Sequence, residues 1–127
     1  MLFDLDRFKT INEDLGHLGG DFTLRELASC VKGGVRKEEL FARYGGEEFA
    51  VVLPETSFEG GVAVAERIRT LVEKHPFQYE GKTCLVTISV GVAFTAGDDS
   101  LTPNELIRQA DEKLFQAKHS GRNRVVA

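Results

Sequence analysis

The sequence has few of the residues that mark disulfide-rich, zinc-binding or membrane proteins. Its 127 residues include two cysteines, three prolines, one methionine and no tryptophan. The cysteines are isolated, with no CxxC pair and no histidine at ligand spacing, so a disulfide framework and a cysteine–histidine zinc site are excluded. We therefore expect Cys30 and Cys84 to be reduced residues of the core, as is typical of a cytoplasmic protein.

Long hydrophobic runs and an excess of positive charge are absent as well. No apolar stretch approaches the roughly 18 residues that a transmembrane helix requires, and no signal peptide is recognisable. The formal net charge is −4, so neither nucleic acid nor an anionic membrane surface is an expected partner. A chain of this charge that binds phosphates must do so locally, through a metal ion or a few placed cations.

What the chain does contain is a regular succession of helix and strand patterns. The predicted strands are residues 1–6, 40–44, 49–53, 84–94 and 124–126, and the predicted helices are residues 8–15, 21–32, 56–73 and 102–118. This order, with an antiparallel hairpin in the middle, predicts a single domain with an α+β fold. The fold should be ferredoxin-like, with a central, mostly antiparallel sheet flanked by helices.

Two features of this pattern make more specific predictions. Thr56–Glu59 and Thr102–Glu105 have the sequence of capping boxes, so each should begin a helix. The strand at residues 84–94 carries large apolar residues on one face and small ones on the other, which lets another element approach closely. The small residues are Thr87, Ser89, Gly91 and Ala93.

The most unusual stretch is the run RYGGEEF at residues 43–49. Gly45 and Gly46 predict a tight turn, because glycine adopts positive φ without steric cost. A turn does not require the adjacent carboxylates of Glu47 and Glu48, which repel each other. These two acids are therefore the first candidates for a functional site.

A second pair of acids lies on the first strand, where Asp4 and Asp6 share a face. If that strand neighbours the hairpin, Asp4, Glu47 and Glu48 converge at one end of the sheet. Crowded carboxylates are stable when a cation or a proton relieves their repulsion, and oxygen ligands without histidine or cysteine favour Mg²⁺. The residues alone leave a second interpretation equally open, in which these are surface acids of a solvated turn.

Beside this acidic group, basic residues near the C-terminus become candidates for phosphate binding. Lys118 and Arg122 lie around the end of the last predicted helix, where basic residues and a glycine cap are expected in any protein. Lys9 alone is an ordinary surface lysine. Three cations beside a carboxylate cluster would nevertheless suit a metal-bound triphosphate, and the sequence contains no glycine-rich phosphate loop that would indicate another arrangement.

The residues also resemble a known family. RYGGEEF is similar to the signature of the GGDEF domain of diguanylate cyclases, in its common GGEEF form. Residues 3–21 resemble the family's DxDxFKxxN…GHxxGD block, residues 87–93 its central strand, and residues 110–123 its closing AD…AK…GRN motif. These elements follow family order and spacing over nearly the whole chain.

The resemblance implies a nucleotidyl cyclase-like fold and a reaction in which two GTP molecules condense to cyclic di-GMP with release of pyrophosphate. It implies Mg²⁺ as cofactor, with Mn²⁺ as an alternative, and a transient homodimer in which each protomer presents one GTP. Asp4, the Leu5 carbonyl and Glu47 would hold the metal. Glu48 would be a further ligand or would assist deprotonation of the ribose 3′-hydroxyl, and the division of catalytic roles between the two glutamates stays open.

The same resemblance implies the substrate contacts. Asn12 and Asp21 would hydrogen-bond the guanine edge, although Asp21 could instead be an N-cap and Asn12 a helix-end residue. Gly45 and Gly46 would let the turn backbone approach the triphosphate, where a Cβ would clash. The cations that would bind the phosphates are Lys9, Lys118 and Arg122.

The chain departs from the family pattern in three places, one of which, Glu13 in place of an aspartate, keeps the charge. It begins within the first strand, so we expect residues 1–127 to be a GGDEF domain without its usual N-terminal helix, joined to an upstream regulatory domain in the full protein. The family's product-inhibition motif RxxD is here an RxxE, formed by Arg36 and Glu39. The longer side chain moves the carboxylate, so inhibition at this site stays an open prediction.

The acidic pair decides between an enzyme and two alternatives. One alternative is a non-catalytic signalling module that binds GTP or cyclic di-GMP, and the other is an inactive structural fragment. Degenerate members of the family usually lose the acidic pair, whereas Glu47 and Glu48 are both present. We therefore expect a cytoplasmic diguanylate cyclase domain of bacterial signalling that contacts neither nucleic acid nor membrane.

Overall fold

A computed structural model describes residues 1–97 and 101–127. The helices are α1 (Phe8–Lys32), α2 (Phe58–Lys74) and α3 (Pro103–His119). The strands are β1 (Leu2–Leu5), β2 (Leu40–Arg43), β3 (Glu48–Val52), β4 (Phe77–Tyr79), β5 (Lys82–Cys84), β6 (Ile88–Gly91) and β7 (Val125–Val126). Five strands form a sheet in the order β2-β3-β1-β6-β7, with β6 and β7 parallel and the other neighbours antiparallel, while β4 and β5 form a separate hairpin. The predicted α+β fold is confirmed.

Strand β1 is central in the sheet and covered on both sides. All four of its residues are buried, and it contributes to two cores because successive side chains of a strand point to opposite faces. Phe3 and Leu5 pack with residues of α1 and α2, whereas Leu2 packs against α3. Helices α1 and α2 therefore cover one face of the sheet and α3 covers the other. Within the described ranges, no helix combines the length and the apolarity needed to cross a bilayer.

Helix α1 bends at Gly16, where the backbone has φ 76° and ψ 173°. A Cβ at this position would meet no atom within 4 Å, so the need for glycine comes from the backbone conformation alone. The sequence predicted two helices separated at Gly16 and His17. The predicted break is at the right place, but the helix resumes directly after it and continues to Lys32.

The prediction of one long strand at residues 84–94 was wrong. The structure divides this segment between β5, which pairs with β4, and β6, which lies in the main sheet. Glu80 and Gly81 adopt positive φ at the turn between β4 and β5, a hairpin that the sequence pattern did not indicate. The alternation of apolar residues was misleading because Val86 is buried although it belongs to neither strand.

The two predicted capping boxes had different outcomes. Thr102 and Glu105 form the complete box at the start of α3, with reciprocal bonds between side chain and backbone. At α2 the cap is Ser57, whose hydroxyl accepts from the Gly60 amide at 3.1 Å, so the box predicted at Thr56–Glu59 was wrong by one residue. Serine is the somewhat better N-cap, but the glutamate three residues after Thr56 favoured the threonine in the sequence.

Helix α3 lies very close to β6. A Cβ at Gly91 would lie 2.1 Å from the Ala110 carbonyl oxygen and 2.3 Å from the Leu114 nitrogen, so a larger residue would displace the helix. The element that approaches the predicted small-residue face is therefore α3. This packing holds the C-terminal end of α3 over β1, where the Lys118 ammonium meets Asp4.

Candidate active site

Strand pairing brings the acids of β1 and of the RYGGEEF turn to one end of the sheet. β1 is antiparallel to β3, and their register places Asp4 opposite Glu48. The Leu5 amide donates to the Glu47 carbonyl at 3.3 Å. The four residues implied as metal ligands thus occupy neighbouring positions on two paired segments.

Asp4 is a buried carboxylate that is only partly satisfied. The residue is 5% exposed, and its Oδ2 accepts from the Lys118 ammonium of α3. Its Oδ1 has no hydrogen-bond partner among the described residues. Burial raises the pKa of Asp4, and the bond with Lys118 offsets only part of that effect.

Glu47 and Glu48 are half-buried, and their pKa values are raised as well. For Glu47 the main cause is burial, followed by the negative charge of Asp4. For Glu48 burial is again the main cause, followed by the charges of Asp111 on α3 and of Asp4. Because three carboxylates with raised pKa values share the ammonium of Lys118, this end of the sheet is short of positive charge.

The acidic group fits a hard divalent cation in its chemistry, although its side chains are not gathered around one point. In residues 1–97 and 101–127, no three aspartate, glutamate, histidine or cysteine side chains lie close enough together to enclose an ion. The nearby donors are nevertheless oxygens, and they include the unsatisfied Oδ1 of Asp4. Mg²⁺ takes few protein ligands and completes its shell with water and substrate phosphates, so an open set of carboxylates suits it.

The RYGGEEF turn is built by Arg43 and not by special glycine conformations. Arg43 Nε donates to the carbonyls of Gly45 and Gly46 at 3.1 and 3.0 Å. The Glu48 carbonyl accepts from the Tyr44 and Gly45 amides. Neither glycine has positive φ, so that prediction was wrong. A Cβ at Gly46 would meet no atom within 4 Å, so no described residue crowds this position.

A cleft of about 370 Å³ lies between α1 and the β2–β3 hairpin. Asp21 lies at this cleft, and Leu24, Phe41 and Phe49 are among its apolar lining residues. Asn12 lies against the second half of α1, where a Cβ at Gly20 would be 1.7 Å from its Oδ1. Glycine at position 20 therefore allows Asn12 to approach the helix beside Asp21. A small cleft with apolar walls and a few polar groups is the usual form of a ligand site.

The three implied phosphate-binding cations lie on different segments. Lys118 contacts Asp4 directly. Arg122 follows α3 with φ 63°, and its amide donates to the Ala117 carbonyl at 3.0 Å. Lys9 is exposed in the first turn of α1, soon after β1. The structure therefore joins Lys118 to the acidic group and places the other two on segments that follow β1 and α3.

Comparison with known proteins establishes the family. The family described as Diguanylate cyclase, GGDEF domain, matches residues 1–124. The chain belongs to the GGDEF family. This GGDEF domain is 44% identical over 125 residues to Diguanylate cyclase A of Treponema denticola, a match that covers 98% of this chain and 33% of that protein. It is 48% identical over 128 residues to the response regulator PleD of Caulobacter vibrioides, covering 99% of this chain and 28% of that protein. The chain thus spans about a third or less of these relatives.

Solved structures of GGDEF domains share its fold. The GGDEF domain of DgcB from Caulobacter crescentus, in complex with c-di-GMP, has a TM-score of 0.90 at 31% identity and covers 99% of this chain and 74% of that chain. The active GGEEF domain of a diguanylate cyclase from Vibrio cholerae has a TM-score of 0.86 at 33% identity, covering 98% and 78%. Diguanylate cyclase SiaD from Pseudomonas aeruginosa, in complex with its activator SiaC, has a TM-score of 0.90 at 35% identity. This match covers 98% of this chain and 47% of that chain.

The GGDEF domain contains two site residues to which the sequence assigned no role. Arg43 closes the signature turn, and the charge of Asp111 acts on Glu48. Both lie within the motifs that carried the resemblance, and that position was the available signal. An arginine before a turn and an acid on an exposed helix face are ordinary features in isolation.

The GGDEF domain uses part of its RxxE motif for local structure. Arg36 is exposed in the loop after α1, and the Glu39 carboxylate accepts from the Arg36 amide at 2.7 Å. This bond holds the glutamate within its own turn. A role for Arg36 and Glu39 in product inhibition remains a prediction.

A larger concavity of the GGDEF domain, of about 700 Å³, lies on the face of the sheet that α3 covers. Its walls are mostly apolar and include Leu2, Val52, Phe94 and Ile107. Among the described residues that line it, Glu55 is the one acidic side chain and none is basic. Charged groups converge instead at the acidic group and at the smaller cleft, which Asp21, Arg25 and Arg43 line.

Proposed function

We propose that this GGDEF domain is the catalytic domain of a diguanylate cyclase, which condenses two GTP molecules to cyclic di-GMP and releases two pyrophosphates. The observation that carries the proposal is the buried Asp4 carboxylate beside Glu47 and Glu48 of the family signature, with its Oδ1 unsatisfied within the described residues. A buried anion that the fold leaves unsatisfied is costly and is characteristic of functional sites. Relatives named as diguanylate cyclases support the same reaction.

Asp4, the Leu5 carbonyl, Glu47 and Glu48 would hold Mg²⁺, or Mn²⁺ in its place. When bound, the metal supplies positive charge that offsets the triphosphate and the charge developing on the leaving pyrophosphate. The raised pKa values of the three carboxylates support this assignment, because a cation would favour their ionised forms. Glu47 or Glu48 would also help remove the proton of the ribose 3′-hydroxyl.

Base recognition would take place at α1 and at the signature turn. Asn12 and Asp21 would hydrogen-bond the guanine edge, and the apolar walls of the neighbouring cleft would contact the ring. Gly45 and Gly46 would let the turn backbone lie against the triphosphate. The open space beside Gly46 supports this role.

Phosphate binding would depend on three cations, because the chain as a whole is acidic. Lys118 already lies at the acidic end of the sheet through its ion pair with Asp4. Arg122, on the segment after α3, and Lys9, on the first turn of α1, would bind further phosphate oxygens. Each cation is a long side chain that can adjust to the triphosphate as it binds.

The chemistry requires two protomers. In a symmetric condensation each ribose 3′-oxygen attacks the α-phosphate of the other GTP, so one site holding one GTP cannot complete the product, and two protomers must meet face to face. An upstream regulatory domain would control this encounter, and the complex of SiaD with its activator supports regulation through a partner in the family. The free thiols of Cys30 and Cys84 agree with the cytoplasm as the site of the reaction.

Incubation of the purified protein with GTP and Mg²⁺, followed by chromatography, tests the proposal. Cyclic di-GMP should form, and Glu47→Ala and Glu48→Ala should each lower the rate at least about 100-fold. Glu112→Ala is the matched control, because Glu112 is exposed on α3 and pairs with Arg108 on the same helix. Equal rates in all three variants would contradict the assignment of the site.

Fusion to a dimeric protein removes the dependence on spontaneous dimerisation. A fused chain that binds GTP but forms no cyclic di-GMP would contradict the enzyme and favour the non-catalytic module. Binding of cyclic di-GMP without binding of GTP would identify the module as a receptor for the product.

A further inference from the structure

The segment after α3 has a backbone conformation that needs support. Gly121, Arg122 and Asn123 have φ values of 124°, 63° and 45°. Residues other than glycine seldom adopt positive φ, although asparagine tolerates it better than most. Two such residues in succession are strained, and a strained segment persists only where surrounding contacts hold it.

The backbone of this segment is held at several points. The Arg122 amide donates to the Ala117 carbonyl at 3.0 Å, and Arg124 Nε donates to the Arg122 carbonyl at 3.0 Å. The Asn123 amide donates to Asp6 Oδ2 at 3.0 Å. These bonds tie the segment to the end of α3 and to the residue that follows β1.

The Asn123 side chain closes a hydrogen-bonded ring with Arg69 and Glu73 of α2, here called the Asn123 ring. Arg69 Nη1 donates to Asn123 Oδ1 and to Glu73 Oε2, both at 2.8 Å. Asn123 Nδ2 donates to Glu73 Oε1 at 2.7 Å. Each member is thus bonded to the other two. The Arg69 side chain is 18% exposed, so the ring is partly shielded from water, which strengthens its bonds.

The ring connects α2 to the segment between α3 and β7. Helix α2 packs with α1 in the larger core, whereas α3 lies on the other face. Arg69 and Glu73 lie outside the motifs that carry the implied site, and they reach Asn123 across 54 and 50 positions of the chain. Termination of α3 does not require them, because the Ser120 and Arg122 amides already bond carbonyls of the last turn.

We infer that Arg69 and Glu73 are positioning residues of the active site and act through Asn123. By fixing Asn123 they fix the backbone of Arg122, whose side chain is proposed to bind phosphate. The same asparagine is bonded to Asp6, which directly follows the metal-binding end of β1. The inference rests on the proposed function, since it assigns a role in binding GTP.

The test changes the polarity of the ring without changing its size. Asn123→Asp tolerates positive φ and keeps the acceptor for Arg69, but it places a second carboxylate against Glu73. We expect the KM for GTP to rise about tenfold, with kcat within about threefold of wild type, because a hydrogen bond is replaced by a repulsion. Adding Glu73→Gln supplies an amide donor to the new carboxylate, so the double variant should return to within about twofold of the wild-type KM.

Glu66→Gln is the matched control. Glu66 forms another ion pair of Arg69, at 2.9 Å from Nε, and lies outside the Asn123 ring. The substitution removes a negative charge that pairs with the same arginine but should leave the KM for GTP unchanged. If Glu66→Gln and Asn123→Asp raise the KM equally, the inference is wrong, because any disturbance of α2 would then have the same effect.

Two readouts that do not need catalysis separate this inference from the proposed function. Hydrogen exchange at the backbone amide of residue 123 should be about tenfold faster in Asn123→Asp than in wild type. It should slow again in the double variant. Equilibrium binding of GTP in the presence of Mg²⁺ should weaken and recover in parallel.

The outcomes then distinguish the two claims. A wild-type protein that neither binds GTP nor forms cyclic di-GMP contradicts the proposed function. Unchanged exchange and unchanged GTP affinity in Asn123→Asp contradict the inference alone. Failure of Glu73→Gln to restore both quantities in the double variant contradicts it as well.

Discussion

Asp4 and Asp6 lie two residues apart and are both buried, at 5% and 7% exposure, but their carboxylates differ in hydrogen bonding. Both oxygens of Asp6 are bonded. Its donors are the Thr87 hydroxyl at 2.8 Å, the Ser89 hydroxyl at 2.6 Å and the Asn123 amide at 3.0 Å. Asp4 has Lys118 on one oxygen and, among the described residues, no partner on the other.

The difference separates a fully bonded acid from the acid that is proposed to bind the metal. A carboxylate that ties together β1, β6 and the segment after α3 must be fully bonded, because an unsatisfied buried group costs stability. A carboxylate that binds a cation must keep an oxygen free for it. Asp6 therefore serves the fold, whereas Asp4 carries a cost in the free chain that a bound cation would relieve.

The largest effect that would sharpen this contrast is expected for Asp4→Asn. Formation of cyclic di-GMP should fall at least about 1,000-fold, because a proposed metal ligand loses its charge. The free energy of unfolding without metal should stay within about 1 kcal/mol of wild type, since the amide still offers an oxygen to Lys118. Denaturant unfolding and the GTP assay measure the two quantities, and a strongly destabilised variant would contradict a functional role for Asp4.

Asp6→Ala, in contrast, should mainly lower the free energy of unfolding. Three donors lose their acceptor, so the free energy of unfolding should fall by about 3 kcal/mol. Asp6→Asn is the milder comparison, because one oxygen remains and a smaller loss is expected. If urea denaturation shows that Asp6→Ala is as stable as wild type, the contrast between the two acids is broken.

Lys118→Met tests the single bond that Asp4 does have. Removing the ammonium leaves a buried carboxylate without its partner, but Lys118 is itself about a third exposed, so we expect a loss of only about 1–2 kcal/mol. The double variant with Asp4→Asn should lose less, because no anion is then left unpaired. A double-mutant cycle measures this coupling, and additive effects would show that the ion pair contributes nothing to stability.

The smallest expected effect is a dependence on pH. Burial raises the pKa of Asp4 in the folded chain above its ordinary value of 3.8, so the folded state holds this proton more tightly than the unfolded state does. Wild type should therefore lose stability relative to Asp4→Asn as pH rises through the interval between the two pKa values. The unfolding free energy of Asp4→Asn minus that of wild type should therefore rise with pH over that interval and then level off. A difference that shrinks with rising pH would contradict a raised pKa.

Local signals predicted much of the fold, because they depend on neighbouring residues. The capping box at Thr102 and the break at Gly16 are examples, since a cap and a positive φ are local requirements. The division between β5 and β6 was not predictable in this way. Buried Val86 continues the apolar alternation through a segment where the backbone leaves one sheet and enters another.

The candidate site shows the same limit. The acids of the RYGGEEF turn could be selected from the sequence because a simple turn does not require two adjacent carboxylates. The conformation of that turn could not be predicted from the sequence. The Arg43 guanidinium bonds the carbonyls of Gly45 and Gly46, and neither glycine adopts the positive φ that was expected. Likewise, nothing local to Asn123 indicates that it bonds two residues of α2.

The sequence by itself determined the family, the class of fold and the short list of acids and cations, because these depend on motif order and residue chemistry. The motif order selected Asp4 and not Asp6 as a metal ligand, but it could not show how either acid is bonded, since both are acids on the same face of one strand. Only the tertiary structure shows that Asp6 is fully bonded and that Asp4 Oδ1 has no partner among the described residues. Whether a buried carboxylate is satisfied depends on donors from distant segments, and here α3 brings Lys118 to Asp4 while β6 and the segment after α3 complete Asp6.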